Sequence, residues 1–191
     1  MKTAIKYLVI FAVIFNFTSC DKLDELTEVD FDTTISAPIL INTVGVESKT
    51  SSTKIGNKIN GEDEYFEGEV TISLDNSTTN KYLDLIEKIK IKKASFVFTN
   101  FSGDTFGEIK GDLYINNTKL LPQDSYINVS EAAAEATVFE VTNTQLISSI
   151  VSGLLANKKV TAKYAGYSNA LDAMTFEIKV ILDLTVTADA L

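Results

Sequence analysis

The chain has 191 residues, 45% hydrophobic and 23% charged, a globular balance rather than a disordered one. Every basic residue is lysine, and 17 of them against 26 Asp and Glu set the net charge at −9; without arginine such a chain is poorly made to neutralise phosphates, so no nucleic-acid partner is expected. The absence of His excludes His-based acid–base chemistry, Ser-His-Asp triads and His metal sites, and the absence of Trp leaves any aromatic platform to Tyr and Phe.

The N-terminus starts with two charges, Lys2 and Lys6, followed by an apolar run from Tyr7 to Phe17 broken only by Asn16. That run is shorter than the roughly 20 residues a bilayer span needs and fits a signal-peptide core. It ends in Phe17-Thr18-Ser19-Cys20, and Cys20 is the single cysteine. This stretch resembles the lipobox of bacterial lipoproteins, with Phe17 in place of the usual Leu and with Ser before Cys, as in Bacteroidetes outer-membrane lipoproteins. The acidic residues Asp21, Asp24 and Glu25 resemble the surface-export signals of that phylum. The resemblance implies cleavage before Cys20, acylation of Cys20 (diacylglycerol and an amide-linked chain such as palmitate), and a lipid anchor in the cell envelope, expected in the outer membrane on its surface or periplasmic face. It reaches no further than about residue 25. Residues 1–19 are then the signal peptide, 20–26 a lipidated tether, and 27–191 one β-rich domain. Loss of Lys2 and Lys6 with the leader takes the net charge from −9 to −11. A lone cysteine permits no disulfide within the chain, so stability rests mainly on burial.

From Thr27 the pattern is period two: Val29, Phe31, Thr33 and Ile35 on one side, Glu28, Asp30, Asp32 and Thr34 on the other. Pro38 ends this strand or marks an edge, and Ile39 to Val46 is a second short strand or a continuation. The polar stretch 47–63 is a long loop. Tyr65 to Leu74 alternates again, with Phe66, Gly68, Val70, Ile72 and Leu74 inward. Asp75 to Thr79 predicts a turn capping a helix to about Ile89, on the spacing of Tyr82, Leu85, Ile86 and Ile89. The next strand runs from Ile89 to Phe101, and its phase slip across Lys92-Lys93 predicts a β-bulge that returns Ala94, Phe96 and Phe98 to the core.

Phe106 to Ile115 is a strand with Ile109, Gly111, Leu113 and Ile115 in phase, and Asn116-Asn117 a hairpin turn into Lys119-Leu120-Leu121. Pro122 to Ser125 reads as loop, Ser130 to Glu135 as a helical turn capped by Ser130, and Thr137 to Val141 as a strand. Asn143 or Thr144 opens a helix to about Ala156, with Leu146, Ile147, Ile150, Val151, Leu154 and Leu155 on a wide apolar stripe and Asn157 at its left-handed end. Lys158 to Gly166 is a strand. The clearest element comes last: Met174, Phe176, Ile178, Val180, Leu182, Leu184, Val186 and Ala188 hold every even position. Such length predicts a strand that bends or serves two sheets in turn. The pattern as a whole predicts an antiparallel β-sandwich, Ig-like or similar, with two amphipathic helices as crossovers; a closed up-and-down barrel is the alternative.

Candidate chemistry is sparse. Glu62, Asp63, Glu64, Glu67 and Glu69 form an acidic run whose oxygens suit calcium, but the alternation with Phe66, Gly68 and Val70 favours a solvated strand face; Asp104, Glu108 and Asp112 are similar. Gly166-Tyr167-Ser168-Asn169-Ala170 lacks the last Gly of a nucleophile elbow. Asn76, Asn100, Asn116 and Asn128 start Asn-x-Ser/Thr triplets that arise by chance in a chain of this composition. Asp32-Thr33-Thr34 resembles the short O-glycosylation motif of Bacteroidetes secreted proteins, though Thr33 lies on the apolar phase. The run Lys88 to Lys93 reads as a solvated strand face. No catalytic, metal or cofactor residue stands out; Cys20, for lipidation, is the one site residue. The expected role is a non-catalytic, lipid-anchored binding, adhesion or assembly domain with a protein or glycan partner. The alternative is a hydrolase that uses paired carboxylates on a glycan.

Overall fold

The computed structural model describes residues 28–45, 63–141 and 144–189. The leader, Cys20 and its tether, and nearly all of loop 47–63 lie outside them.

Eight strands among the described residues form two antiparallel four-stranded sheets. They are β1 (Glu28–Thr43), β2 (Glu64–Ser73), β3 (Ile86–Gly103), β4 (Glu108–Ile115), β5 (Thr118–Asn128), β6 (Val138–Glu140), β7 (Lys159–Ser168) and β8 (Met174–Asp189). The first sheet has the order β1-β8-β3-β6 and the second β2-β7-β4-β5. The expected sandwich is therefore present and the barrel is not. Strands pair as β4 with β5, β3 with β6, β2 with β7 and β1 with β8. This is one long hairpin folded over on itself from the Asn116-Asn117 tip, which is the jelly-roll winding rather than the Ig order. The tip residues have φ of 47° and 65°, the left-handed pair that a two-residue hairpin turn requires.

The strand β8 lies between β1 and β3. All eight of its even residues are buried. It does not pass from one sheet to the other. Its pairing with β1 runs without a shift from Glu28 opposite Asp189 to Thr43 opposite Met174. Here Pro38 neither ends nor kinks the strand: β1 is an edge, and Pro38, exposed opposite Lys179, needs no donor on its free side.

Four sequence-based expectations give way. The helix expected up to Ile89 is only a 3-10 turn, Asn80–Leu85, and β3 already starts at Ile86. Ile86 and Ile89 are both buried because the register shifts between Ile86 and Lys88. A bulge thus reproduces the three-residue spacing of a helix. Second, β5 continues through Pro122 to Asn128 where a loop was expected, because β5 is also an edge. Third, helix α1 (Val129–Ala134) is capped by Asn128, whose Oδ1 accepts from the Glu131 N–H at 2.9 Å, and not by Ser130. Helix α2 (Thr144–Asn157) crosses between the sheets as expected, but the left-handed residue after it is Lys158, with φ of 56°. The bulge predicted at Lys92-Lys93 is present, with Ala94, Phe96 and Phe98 buried.

Aromatic rings join the sheets. Tyr164 and Phe66 of the second sheet stack at 6.1 Å, and Phe66 meets Phe176 of the first edge-on at 6.2 Å. The buried Tyr164 hydroxyl has no hydrogen-bond partner among the described residues. Its pKa is pushed up, first by burial and then by the Asp112 charge.

Three core substitutions, at two positions, test this arrangement. Leu182→Ala, in the middle of β8, should lower stability by about 2–5 kcal/mol in chemical denaturation, and Leu182→Asp should abolish the folded state in circular dichroism. Tyr164→Phe should hold or raise the unfolding midpoint, since leaving a buried hydroxyl unpaired costs about 1–3 kcal/mol.

Candidate functional site

The outer face of the second sheet carries a row of side chains that crosses all four strands. Tyr65 on β2 lies opposite Tyr167 on β7, and Tyr167 lies opposite Lys110 on β4. The Lys110 ammonium bonds the hydroxyl of Tyr126 on β5 at 2.9 Å. All three rings stay in solvent: Tyr65 is 53%, Tyr167 45% and Tyr126 39% exposed.

Each ring is also held in place. Tyr126 donates its hydroxyl proton to Asp63 Oδ2 at 2.5 Å, and Lys110 bonds the same oxygen at 2.6 Å. Lys110 lies 4.6 Å from the centre of the Tyr126 ring and 5.9 Å from that of Tyr167. Tyr65 meets Tyr167 edge-on at 5.5 Å and donates to Glu67 Oε2 at 2.6 Å, an oxygen shared with Lys163 at 2.6 Å. The backbone beneath depends on glycine. Gly166 pairs with Gly111, and a Cβ on Gly166 would collide with the Lys110 carbonyl oxygen. The close approach of β4 to β7 brings Lys110 beside Tyr167.

These contacts move the titrations. The Lys110 ammonium first, and the Tyr126 hydroxyl after it, hold the Asp63 carboxyl below the usual carboxylate range. Asp63 and then Tyr126 raise the Lys110 ammonium. Lys163 and then Tyr65 lower Glu67. Glu67 in turn is the first cause that raises the Tyr65 phenol.

The row lies toward one pole of the sandwich. That pole gathers the ends of β1, β3, β5 and β7 and the loops that follow. Asp104 joins two of these loops: its Oδ1 accepts from Phe106 N at 2.9 Å and its Oδ2 from Leu171 N at 2.9 Å. Burial by itself would raise the Asp104 carboxyl, but the backbone N–H groups of Phe106, Leu171, Asp172 and Gly107 outweigh it and the net shift is downward. Val44, Phe106 and Leu171 are exposed at the same pole, Phe106 by 85%. The opposite pole holds the start of β1, where Glu28 pairs with Asp189.

A polar cleft of about 600 Å³ opens on the first sheet between β1, β8 and the turn at Asn76–Thr78; Asp32, Thr34, Lys92 and Asp183 line it. Two carboxylates share this cleft, but both are engaged. Asp183 accepts from Thr34 Oγ1 at 2.6 Å, and Asp32 bonds Lys92 at 2.6 Å and Thr185 at 2.9 Å. Lys92 and Thr185 hold Asp32 below the usual range, the reverse of the raised carboxyl that a general acid needs.

The other sequence candidates have structural positions. Thr33 of the Asp32-Thr33-Thr34 motif is buried, 9% exposed, with Asn76 Nδ2 at 3.4 Å from its hydroxyl. Ser168 is buried at the end of β7 and accepts from Ala170 N at 3.2 Å. Asn76 accepts from the N–H groups of Thr78 and Thr79, Asn100 bonds Glu177 from a left-handed backbone, Asn116 forms the hairpin tip, and Asn128 caps α1. Of the run Lys88 to Lys93, Lys88 meets Glu28, Lys92 meets Asp32 and Lys93 meets Glu140. Of the acidic run, Asp63 meets Lys110 and Glu67 meets Lys163; farther along, Asp112 meets Lys119. No group of three or more potential ligands suits a metal among the described residues. Cys20 lies outside them.

No family model and no curated protein matches the chain. Among solved structures it is similar to that of the decameric BFDV capsid protein, at 13% identity and a TM-score of 0.39, with 83% of this chain and 99% of that one covered. The 60-mer of the BFDV capsid protein is similar at 10% identity and a TM-score of 0.38, with 86% and 97% covered. At that distance the likeness assigns no function.

The Asp63 network predicts a pH signature. Its depressed pKa means that the carboxylate stabilises the fold fully above the unfolded value, about 3.9, and that this contribution is lost as pH falls through the folded pKa. The difference in melting temperature between the wild-type chain and Asp63→Asn should be full above about pH 4 and close below it. Being a surface network, it should be worth no more than about 1 kcal/mol.

Proposed function

We propose that the chain is a lipid-anchored cell-envelope protein whose folded part is a non-catalytic binding domain. It is tethered by acyl chains on Cys20 and presents the tyrosine row and the loop pole to a partner. The observation that carries this reading is the position of the row relative to the start of β1. Seven residues, 21–27, lie between Cys20 and Glu28, so over eight residue steps the tether reaches at most about 28 Å. The 16 residues of β1 extend about 50 Å from Glu28 toward the other pole. A membrane anchor at Cys20 therefore leaves the row and the exposed Val44, Phe106 and Leu171 free to face away from the lipid.

The chemistry of the face supports binding rather than turnover. Both carboxylates in the row, Asp63 and Glu67, are held ionised by lysines. In the cleft, Asp32 is held the same way. Anchoring through two or more acyl chains is stable, since each buried CH₂ contributes about 0.8 kcal/mol.

Replacing Cys20 by Ala should abolish metabolic labelling with an alkyne fatty acid and release the chain from the membrane fraction. Retention of label and of membrane association would overturn the anchor. On intact cells, a thiol probe of a cysteine introduced as Phe106→Cys or Leu171→Cys, or a protease acting on these loops, should reach a surface-displayed chain, and a periplasmic one only after the outer membrane is opened; protection after both membranes are breached would sink the outward-facing pole.

A further inference from the structure

We infer that the row Tyr65, Tyr167, Lys110 and Tyr126 is a binding site for a neutral glycan. Sugar faces stack on the exposed rings, and sugar hydroxyls bond the polar groups between them. The inference rests on the reading of this face as the domain's binding face, and names its ligand class.

Four observations lead to it. The rings are exposed but fixed: Tyr126 by Asp63 and Lys110, Tyr65 by Glu67, and Tyr167 edge-on to Tyr65 and under the Lys110 cation. The rings pack on one another and on Lys110, and the part of each that stays exposed is held in a set orientation, so little side-chain entropy is left to lose on a later contact. Next, the platform has donors and acceptors of both kinds at its edge. A carboxylate has about four lone-pair sites and an ammonium three donors; Asp63 and Glu67 each use one oxygen for two contacts, which leaves acceptors for hydroxyl groups. An apolar ring face bordered by mixed donors and acceptors suits a polyhydroxylated ring with one C–H face.

Charge decides between neutral and anionic glycans. Lys110 and Lys163 each lie 2.6 Å from a carboxylate, and the chain carries a net charge of −9. A sulfated or carboxylated polymer would meet paired cations and a repelling field. Direction decides between glycan and peptide. The row runs across the strands, over about 14 Å for three inter-strand spacings, whereas an extended peptide that adds to a sheet follows a strand edge. A short oligosaccharide spans the rings crosswise.

The test is native affinity electrophoresis of the full-length chain, in detergent, through gels that contain a soluble neutral polysaccharide (laminarin, xyloglucan, arabinoxylan or α-mannan) or an anionic one (polygalacturonate or chondroitin sulfate). Retardation by at least one neutral polymer is expected. Tyr167→Ala and Tyr65→Ala should each weaken it at least tenfold with unchanged thermal unfolding. Tyr65→Phe, which keeps the ring, should stay within about threefold of wild type. Val138→Thr, an exposed change on the first sheet, should have no effect. The inference is overturned if no neutral polymer retards the chain, if Tyr167→Ala and Tyr65→Ala bind as wild type, or if only the anionic polymers bind, with loss in salt. A photo-crosslinking residue at position 167 separates the two levels. A specific protein adduct without any glycan retardation rejects the glycan and keeps the binding face; neither adduct nor retardation rejects both.

Discussion

The central constraint is the position of β8 between two partners. A strand with a neighbour on each side and a buried face has only one usable phase, because a one-residue slip exposes every apolar side chain it owns. On one side β8 pairs with β1 over 16 residues without a shift. On the other, β3 meets it through three register shifts. The contrast has a cause in sequence. β1 keeps a single alternation from Phe31 to Thr43, while β3 breaks phase between Ile86 and Ile89 and again across Lys92-Lys93. β8 is thus the fixed reference, and β3 adjusts to it by bulges. Through β8 the outer pair of the winding, β1–β8, joins the β3–β6 pair in the first sheet, while β2–β7 and β4–β5 join in the second.

That hierarchy explains which parts were legible in the sequence. The even residues of β8, the bulge before Ala94 and the Asn116-Asn117 turn are short-range signals, and each points to one conformation. The segment Tyr82 to Ile89 was not legible, because a bulged strand and a helix share a three-residue apolar spacing; only pairing with β8 separates them. Pro122 misled for a related reason, and at Pro38 the sequence left a strand end and an edge open, of which the edge is correct. Proline breaks an interior strand but not an edge, and edge status is a property of the sheet. The cap at Asn128 was misread because Ser130 lies two residues away and either side chain caps well.

The tyrosine row shows the same limit at the level of function. Tyr65 lies in the outward phase of β2, and that much was visible. Tyr167, Lys110 and Tyr126 come from three other strands, and no local spacing relates them. They meet because β2, β7, β4 and β5 are neighbours in the second sheet, and because Gly166 and Gly111 let β4 and β7 approach closely. Asp63 was legible only as one of five acidic residues in a run. The fold separates it from Glu67: Asp63 bonds Lys110 and Tyr126, and Glu67 bonds Lys163 and Tyr65.

The outer faces of the two sheets differ in a way that composition does not require. On the first, Thr187 donates to Asp30, Thr185 to Asp32 and Thr34 to Asp183, while Lys88 and Lys92 reach the carboxylates of β1. Short side chains answer one another across β1 and β8, and that face is a solvated surface whose polar groups are matched internally. On the second, the lysines and carboxylates are also matched, but the matching fixes large rings that remain in solvent. A hydroxyl-to-carboxylate bond would serve a surface strand equally well from Thr, as the first sheet demonstrates. Tyrosine adds apolar area and a rigid plane to the same bond. Part of that plane is used within the sheet, where Tyr65 meets Tyr167 and Lys110 lies over Tyr126, and the part left exposed lies toward the pole opposite the start of β1.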